Sequence, residues 1–219
     1  MLKLIIVGAG GLGREIEDQA RQDHDNGKIW YIGGFLDTRP NALEGYPIDA
    51  QVIGDPRTFE PSPDEIFVVA IGDPKLKRQL LQPLQEKAAN IVSLRTRVHM
   101  GSRCKFGASV FGYDAKLSVD VTIGDYAYVG ADTIIGHDTT IGDYSHIGAR
   151  CFLAGRVKVG SQVTIHPAAT ITMDSEIGDG AIIGAGSVVI GRVPAYTTML
   201  GNPARRFDFK QSVGSGSIS

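Results

Sequence analysis

The stretch VTIGDYAYVGADTIIGHDTTIGDYSHIGARCFLAGRVKVG, residues 121–160, decides the fold of this chain. An aliphatic residue stands at every sixth position, and this series runs without a break from Ile123 to Val189. A glycine follows the aliphatic residue in most units, and a small residue stands four positions after the aliphatic one, as Ala127 does after Ile123. A period of six matches neither an α-helix, at about 3.6 residues, nor an isolated strand, at about two. The pattern predicts a solenoid in which each hexapeptide forms one side of a triangular coil.

The repeat also predicts how the coils are built. Three hexapeptides close one coil, so we expect about five coils, stacked at about 4.8 Å by the hydrogen bonds of parallel sheets. The glycines are expected to supply the backbone freedom that each corner needs. The aliphatic series extends back through Leu117 and, after one extra residue in FGYDAK, to Val110, Cys104 and Val98. Pro194 is expected to end the repeat.

The first 95 residues have the pattern of half a nucleotide-binding α/β fold. The apolar run LKLIIV at 2–7 predicts a buried strand, and it is followed by GAGGLG at 8–13 and a helical stretch at 14–22. This is the strand–loop–helix context in which G-x-G-x-x-G is meaningful, because glycine lets the backbone approach a phosphate at the helix N-terminus. A second strand ends at Asp37, whose carboxylate could accept a hydrogen bond from a ribose hydroxyl.

The rest of this half predicts a short hairpin at 44–54, a strand at 66–72, a helix at 75–89 and a strand at 90–94. A dinucleotide site spans two βαβαβ halves, and only one precedes the solenoid. A nucleotide attached to another group therefore fits better than NAD(P). A glycine loop that only packs a helix on a strand is the remaining alternative.

The composition excludes several classes of protein. The chain has 219 residues and a net charge of −2, which argues against nucleic acid or an anionic membrane as the main partner. We find neither an apolar run long enough for membrane insertion nor a signal peptide, so we expect a cytoplasmic protein. Cys104 and Cys151 fall at inward positions of the repeat and are expected to be buried thiols. Residues 211–219 are expected to form a flexible tail.

The two halves together resemble the sugar acetyltransferases of the NeuD/PglD type. The resemblance rests on GFLD at 34–37, AIGD at 70–73, GHDTTIGDYSHIG at 136–148, IGAGSVV at 183–189 and GNPAR at 201–205, in this order. It implies an α/β half-Rossmann domain at 1–95 and a left-handed parallel β-helix at 96–210. It also implies a homotrimer that uses acetyl-CoA as co-substrate and a nucleotide-linked amino sugar or a sialic acid as acceptor.

The resemblance further implies roles for individual residues. His137 matches the catalytic base, and Asp138 matches the acidic residue that tunes it. His146 matches a histidine that contacts the acetyl-CoA thioester, and Gly155 matches a glycine whose N–H meets the acetyl carbonyl. Two further positions line the rest of the CoA site, Pro167 and Ala185. Our candidates for the nucleotide end are Gly10, Gly11, Leu12, Asp37 and Thr38, with Leu12 replacing a polar residue that is common in the family.

The local chemistry is consistent with these roles. A histidine is a suitable general base near neutral pH, and an adjacent carboxylate stabilises the imidazolium as it forms. Gly155 stands one coil after His137, so only backbone should lie beside the imidazole, and its N–H could stabilise an oxyanion. His146 falls on a different side of the prism. His137 and His146 can share one site most easily across a contact between subunits.

The expected reaction is transfer of acetyl from acetyl-CoA to the amino group, expected at C4, of a nucleotide-linked deoxyamino sugar. O-acetylation of a sialic acid or another sugar hydroxyl is the nearest alternative, and a non-catalytic scaffold that binds a nucleotide sugar is an alternative of another class. No metal is predicted. The spacing of His137, His146 and His166 lacks the close pair that zinc ligands need.

Overall fold

The structure is a computed structural model that describes residues 1–24 and 30–207. An α/β domain is followed by a parallel β-helix, as the sequence predicts. The predicted tail at 211–219 lies outside the described residues. Neither of the two helices in the described ranges has the length and apolar character needed to cross a membrane.

The amino-terminal domain is a four-stranded parallel sheet with the order β3-β2-β1-β4. The strands are β1 (Leu2–Val7), β2 (Trp30–Leu36), β3 (Val52–Gly54) and β4 (Glu65–Val69), and the helices are α1 (Gly11–His24) and α2 (Pro74–Glu86). Ile16 of α1 belongs to the apolar core on one face of the sheet, and Leu81 of α2 belongs to the core on the other. Burial on both faces explains why the last four residues of β1, Leu4 to Val7, are all apolar.

Two predictions for this domain are wrong. The expected hairpin at 44–54 is a turn followed by β3, which pairs with β2 in parallel and extends the sheet. The expected strand at 90–94 is reduced to a single parallel bridge between Ile91 and Phe67. Leu94 already begins the β-helix. Both errors arise because a short apolar segment does not reveal its pairing partner.

The β-helix has three faces, and each coil contributes one short strand to each face. Face 1 contains β5 (Leu94–Arg95), β8 (Val110–Phe111), β11 (Tyr128–Val129), β14 (His146–Ile147), β17 (Thr164–Ile165), β20 (Ile182–Ile183) and β23 (Thr198–Leu200). Face 2 contains β6 (His99–Met100), β9 (Lys116–Leu117), β12 (Ile134–Ile135), β15 (Phe152–Leu153), β18 (Thr170–Ile171) and β21 (Val188–Val189). Face 3 contains β7 (Lys105–Phe106), β10 (Thr122–Ile123), β13 (Thr140–Ile141), β16 (Lys158–Val159), β19 (Glu176–Ile177) and β22 (Arg192–Val193). A last strand, β24 (Arg205–Arg206), pairs antiparallel with β23.

The structure corrects the predicted extent and register of the repeat. Six complete coils are present rather than about five, because residues 94–106 form a coil of their own. Val129 pairs with Phe111, so Phe111 points into the prism, whereas Val110 packs against the α/β domain. Pro194 does not end the repeat, since β23 still pairs in parallel with β20. Cys151 is buried as expected, whereas Cys104 is only partly buried.

The glycines that follow the aliphatic residues do not have the predicted role. The left-handed backbone lies two positions later and is mostly held by other residues, as at Tyr126 (φ 60°), Asp138 (φ 58°) and Arg150 (φ 58°). A Cβ atom at Gly130 would lie 2.5 Å from the backbone nitrogen of Ala149 on the next coil. These glycines are therefore needed because successive coils approach each other too closely for a side chain.

The three faces have different surroundings. Leu94, Val110 and Tyr128 of face 1 pack into the core of the α/β domain. Face 3 presents polar outward residues: Lys105, Thr122, Thr140, Lys158, Glu176 and Arg192. Face 2 exposes the large apolar side chains of Ile134 and Phe152 on adjacent strands, between the polar outward residues Lys116 and Thr170.

Helix α2 is fixed to the β-helix by a buried lysine. The Nζ atom of Lys77 donates to the carbonyl oxygen of Tyr126 at 2.9 Å and to that of Tyr144 at 3.4 Å. Burial lowers the pKa of Lys77 to about 7, although the nearby carboxylate of Asp73 acts in the opposite direction. The contact fixes the loop that precedes α2 against face 1.

Candidate active site

His137, Asp138 and Gly155 lie together at the corner between faces 2 and 3. Nδ1 of His137 is 2.7 Å from Oδ2 of Asp138. A Cβ atom at Gly155 would lie 2.5 Å from Nε2 and 2.7 Å from Cε1 of His137, so the imidazole rests on the bare backbone of the next coil. Within the described residues, the N–H of Gly155 donates to no protein acceptor. This corner therefore places an imidazole, its carboxylate partner and a free backbone donor side by side.

His146 lies on face 1, beneath the loop that joins β4 to α2. Its ring stacks on that of Tyr128 with a centroid distance of 4.8 Å, and a Cβ atom at Gly72 would lie 3.7 Å from its Cε1. Burial, with smaller effects from Lys77 and His166, lowers the pKa of His146 to about 4. Nδ1 is buried without a hydrogen-bond partner in the described chain. The imidazole is thus neutral near pH 7.

Pro167 and Ala185 are exposed at the corner between faces 1 and 2, on successive coils. The predicted CoA-binding residues are therefore divided within one chain. Gly155 lies with His137 at the far edge of face 2, whereas His146, Pro167 and Ala185 lie on the side of face 1. The sequence anticipates this division for the two histidines, which fall on different sides of the prism.

The predicted nucleotide-end residues do lie together. They line a cleft of about 460 Å³ at the carboxyl ends of β1, β2 and β4. Its wall includes all five predicted positions and several others: Gly8, Gly10, Gly11, Leu12, Leu36, Asp37, Thr38, Arg39, Ala70, Ile71, Gly72, Asp73, Leu76 and Leu80. Ligands of open α/β sheets bind in such clefts. Gly72 joins this cleft to His146.

The carboxylate of Asp37, which we expected to accept from a ribose hydroxyl, accepts four hydrogen bonds from within the protein. Its Oδ2 accepts from the N–H of Ala9 at 2.8 Å and from Nη2 of Arg39 at 3.1 Å, and its Oδ1 accepts from the N–H and Nε of Arg39, both at 2.9 Å. Burial raises the pKa of Asp37, but these hydrogen bonds outweigh burial and leave that pKa below its usual value. Asp37 therefore fixes the shape of the glycine loop.

Arg39 is a charged cleft residue that the sequence interpretation missed. Its side chain is 65% exposed at the cleft wall while Asp37 orients its guanidinium. The available signal was the position of an arginine two residues after the acidic end of β2, where it can meet an anionic ligand.

The structure gives less support to a cysteine nucleophile or a metal site. Burial raises the pKa of the Cys151 thiol, which makes that thiol a poor nucleophile. Among residues 1–24 and 30–207, no group of three or more His, Cys, Asp or Glu side chains is placed to hold a metal ion.

Comparison with known proteins agrees with this architecture. Residues 3–84 match the family described as PglD N-terminal domain, and residues 120–155 match the bacterial transferase hexapeptide (six repeats). Both matches agree with the resemblance to the NeuD/PglD type that the sequence motifs show. A search among curated proteins found no match to the sequence of this chain.

Solved structures resemble this chain over almost its whole length. The acetyltransferase domain of PglB from Neisseria gonorrhoeae FA1090 is 25% identical, with a TM-score of 0.84 over 94% of this chain and 100% of that one. The same domain in complex with acetyl coenzyme A is 26% identical, with a TM-score of 0.83 over 94% of this chain and 98% of that one. PerB from Caulobacter crescentus, solved with CoA and GDP-perosamine, shares the fold at 23% identity, with a TM-score of 0.83 over 94% and 97% of the two chains.

Proposed function

We propose that this protein transfers acetyl from acetyl-CoA to the amino group, expected at C4, of a nucleotide-linked deoxyamino sugar. The observation that carries the proposal is the His137 imidazole resting on the backbone of Gly155, with Asp138 on its other nitrogen. The acetyl-CoA complex of the PglB domain, 26% identical over 94% of this chain, supports acetyl-CoA as the donor.

In the proposed mechanism, Asp138 accepts a hydrogen bond from Nδ1–H of His137, which leaves the Nε2 lone pair free. Nε2 takes a proton from the acceptor amine as the amine nitrogen attacks the thioester carbonyl carbon. The N–H of Gly155 and the neutral imidazole of His146 stabilise the oxyanion. The C–S bond then breaks, and the proton held by His137 neutralises the departing CoA thiolate.

The active site is completed by self-association in this proposal. Ile134 and Phe152 form the exposed apolar part of face 2, which leads directly to the corner that carries His137. A neighbouring copy that covers face 2 can bring its own His146, Pro167 and Ala185 to this corner. A homotrimer around a three-fold axis would form three identical sites in this way.

The two domains have different roles in the proposed reaction. We assign the nucleotide to the cleft at the carboxyl ends of β1, β2 and β4, and acetyl transfer to the β-helix that begins at Leu94. Gly10, Gly11, Leu12 and Thr38 line the cleft and would contact the nucleotide, while Asp37 acts through the glycine loop and Arg39.

A thiol-release assay tests the assigned base. We expect His137→Ala to lower kcat by about 100-fold or more, in the range that general bases contribute. His99→Ala is the matched control, because this exposed histidine lies on the first coil of the same β-helix and has no role in the proposed machinery. Undiminished turnover of His137→Ala would exclude the assignment.

An acceptor panel tests the substrate class. Nucleotide-linked 4-amino sugars are compared with free and CMP-linked sialic acids in the same assay. Activity confined to the sialic acids would replace N-acetylation by O-acetylation. Nucleotide binding without affinity for CoA in calorimetry would instead favour the non-catalytic scaffold.

A further inference from the structure

Five charged residues form a column at the corner that carries His137. They are Arg103, Asp120, Asp138, Arg156 and Asp174, one on each of five successive coils, and all have left-handed φ angles between 58° and 62°. The backbone places them in register: the N–H of Arg156 donates to the carbonyl of His137 at 2.8 Å, and the N–H of Asp174 donates to that of Gly155 at 3.2 Å. We call this set the charged column.

The two arginines of the charged column are already paired. Nε and Nη2 of Arg156 donate to Oδ1 and Oδ2 of Asp174 at 2.7 and 2.9 Å. Arg103 makes the same two-pronged contact with Asp120. Asp138 is the carboxylate of this fully described column that has no arginine, and it contacts His137 instead.

Arg156 stands one coil away from two carboxylates, Asp138 on one side and Asp174 on the other. Coils of a parallel β-helix are about 4.8 Å apart, so an arginine side chain can reach either neighbour. If Arg156 paired with Asp138, the Asp138 carboxylate would turn towards the guanidinium and away from Nδ1 of His137. The partner that Arg156 selects therefore determines whether Asp138 is available to the imidazole.

We propose that Asp174 is a positioning residue that holds Arg156 away from Asp138 and so reserves Asp138 for His137. The proposal rests on the role of His137 in the proposed function. The charged groups facing His137 are those of the charged column, since its stacked neighbours at the same corner, Val119, Gly155 and Met173, are uncharged. Without Asp174, Arg156 would move to Asp138, and the imidazolium of His137 would lose its counter-ion.

The proposal is tested with Asp174→Asn by NMR titration of the His137 imidazole in the enzyme without substrates. We expect the titration midpoint to move to lower pH by about half a unit, a size typical of exposed charge pairs. The acidic limb of the kcat/KM profile should move in the same direction. The NMR readout does not require acetyl transfer, so failure of the proposed function and failure of this inference are distinguishable.

A double-mutant cycle separates redirection of Arg156 from simple loss of a nearby charge. In an Arg156→Gln background, Asp174→Asn should shift the midpoint by less than half as much, because no guanidinium remains to be redirected. Equal shifts in both backgrounds would overturn the proposal, as would no shift from Asp174→Asn alone.

Asp114→Asn is the matched control. It removes the partner of Arg97, an equivalent two-pronged pair at the corner between faces 1 and 2. His137 should titrate as in the unaltered protein. A midpoint shift as large as that of Asp174→Asn would mean that any lost surface carboxylate has this effect, and the proposal would fail.

Discussion

At the scale of single residues, the contact between His137 and Gly155 is the feature on which the proposed chemistry depends. A side chain of any size at position 155 would occupy the space of the imidazole, because even a Cβ atom would lie 2.5 Å from Nε2. The ring would have to leave the backbone edge of the next coil. The same glycine thus determines both the position of the base and access to a backbone N–H.

We predict that Gly155→Ala lowers kcat by about 100-fold, because displacing a reacting group by about 1 Å can cost that much. Overpacking should also cost about 1–3 kcal/mol of unfolding free energy. Steady-state kinetics and chemical unfolding measure the two effects.

Gly186→Ala is the matched control for this change. A Cβ atom there would meet nothing within 4 Å, so the change costs only the strain of a left-handed backbone (φ 66°), which the stacked residue Ala168 already adopts (φ 61°). Activity retained by Gly155→Ala at the level of this control would contradict the assigned geometry.

The residue scale also shows where sequence interpretation stops. The spacing of 18 residues correctly placed Gly155 on His137, because stacking follows from the period alone. The partners of Asp37 could not be predicted, since a carboxylate at the end of a strand looks the same whether it faces a ligand or its own loop. The role of the corner glycines was misjudged for a related reason: a repeat shows where a small residue is required but not which neighbouring atom requires it.

At the scale of elements, the attachment of α2 to the β-helix depends on the buried amino group of Lys77. Its pKa of about 7 lies below that of an exposed lysine, mainly because burial disfavours the charged form. Between about pH 7 and 10.5 the unfolded chain therefore binds a proton that the folded chain lacks. The free energy of unfolding should rise with pH over this range through Lys77.

We predict that Lys77→Met abolishes this rise. Urea unfolding at about pH 7 and about pH 9, at fixed protein concentration, measures the slope. Lys75→Met is the matched control, because Lys75 is exposed on the same helix and should leave the pH dependence intact. A slope in Lys77→Met equal to that of the control would show that Lys77 titrates normally in the folded protein.

The strand boundaries were predicted best where the six-residue repeat of the sequence is unbroken. From Leu117 to Val189 every strand lies where the hexapeptide register places it. Before Leu117 the predicted register is wrong: Phe111, not Val110, continues the spacing of six, so FGYDAK holds no extra residue. In the first coil Phe106 and Met100 stand where Cys104 and Val98 were expected. Both Val110 and Phe111 are apolar, and each has a core to enter. Sequence alone does not show that two cores, one on each side of β8, compete for these neighbours.

At the scale of the whole molecule, completion of the proposed site depends on face 2. Its exposed Ile134 and Phe152 are neighbours on adjacent strands, and burying them against another copy would contribute about 25 cal/mol for each Å² of apolar surface removed from water. His146 and His137 of one chain lie on different sides of the prism, so activity should depend on association.

We predict that Phe152→Asp yields a monomer in light scattering and loses acetyl transfer in parallel, because a carboxylate would be buried at the contact. Thr140→Asp, on the outer surface of face 3, is the matched control and should keep both properties. A monomeric Phe152→Asp variant with full activity would place the whole site within one chain.

The regular stacking has a consequence for how such enzymes can diverge. The α/β domain rests on the first coils of the prism, and His137 lies at a fixed level above it. Duplicating three hexapeptides between them would raise the imidazole by one step of about 4.8 Å without turning it. Deleting a single hexapeptide would rotate it onto another face. The distance between the proposed nucleotide cleft and His137 would therefore change in fixed steps of one coil. Relatives with different numbers of coils could then accept nucleotide sugars of different length.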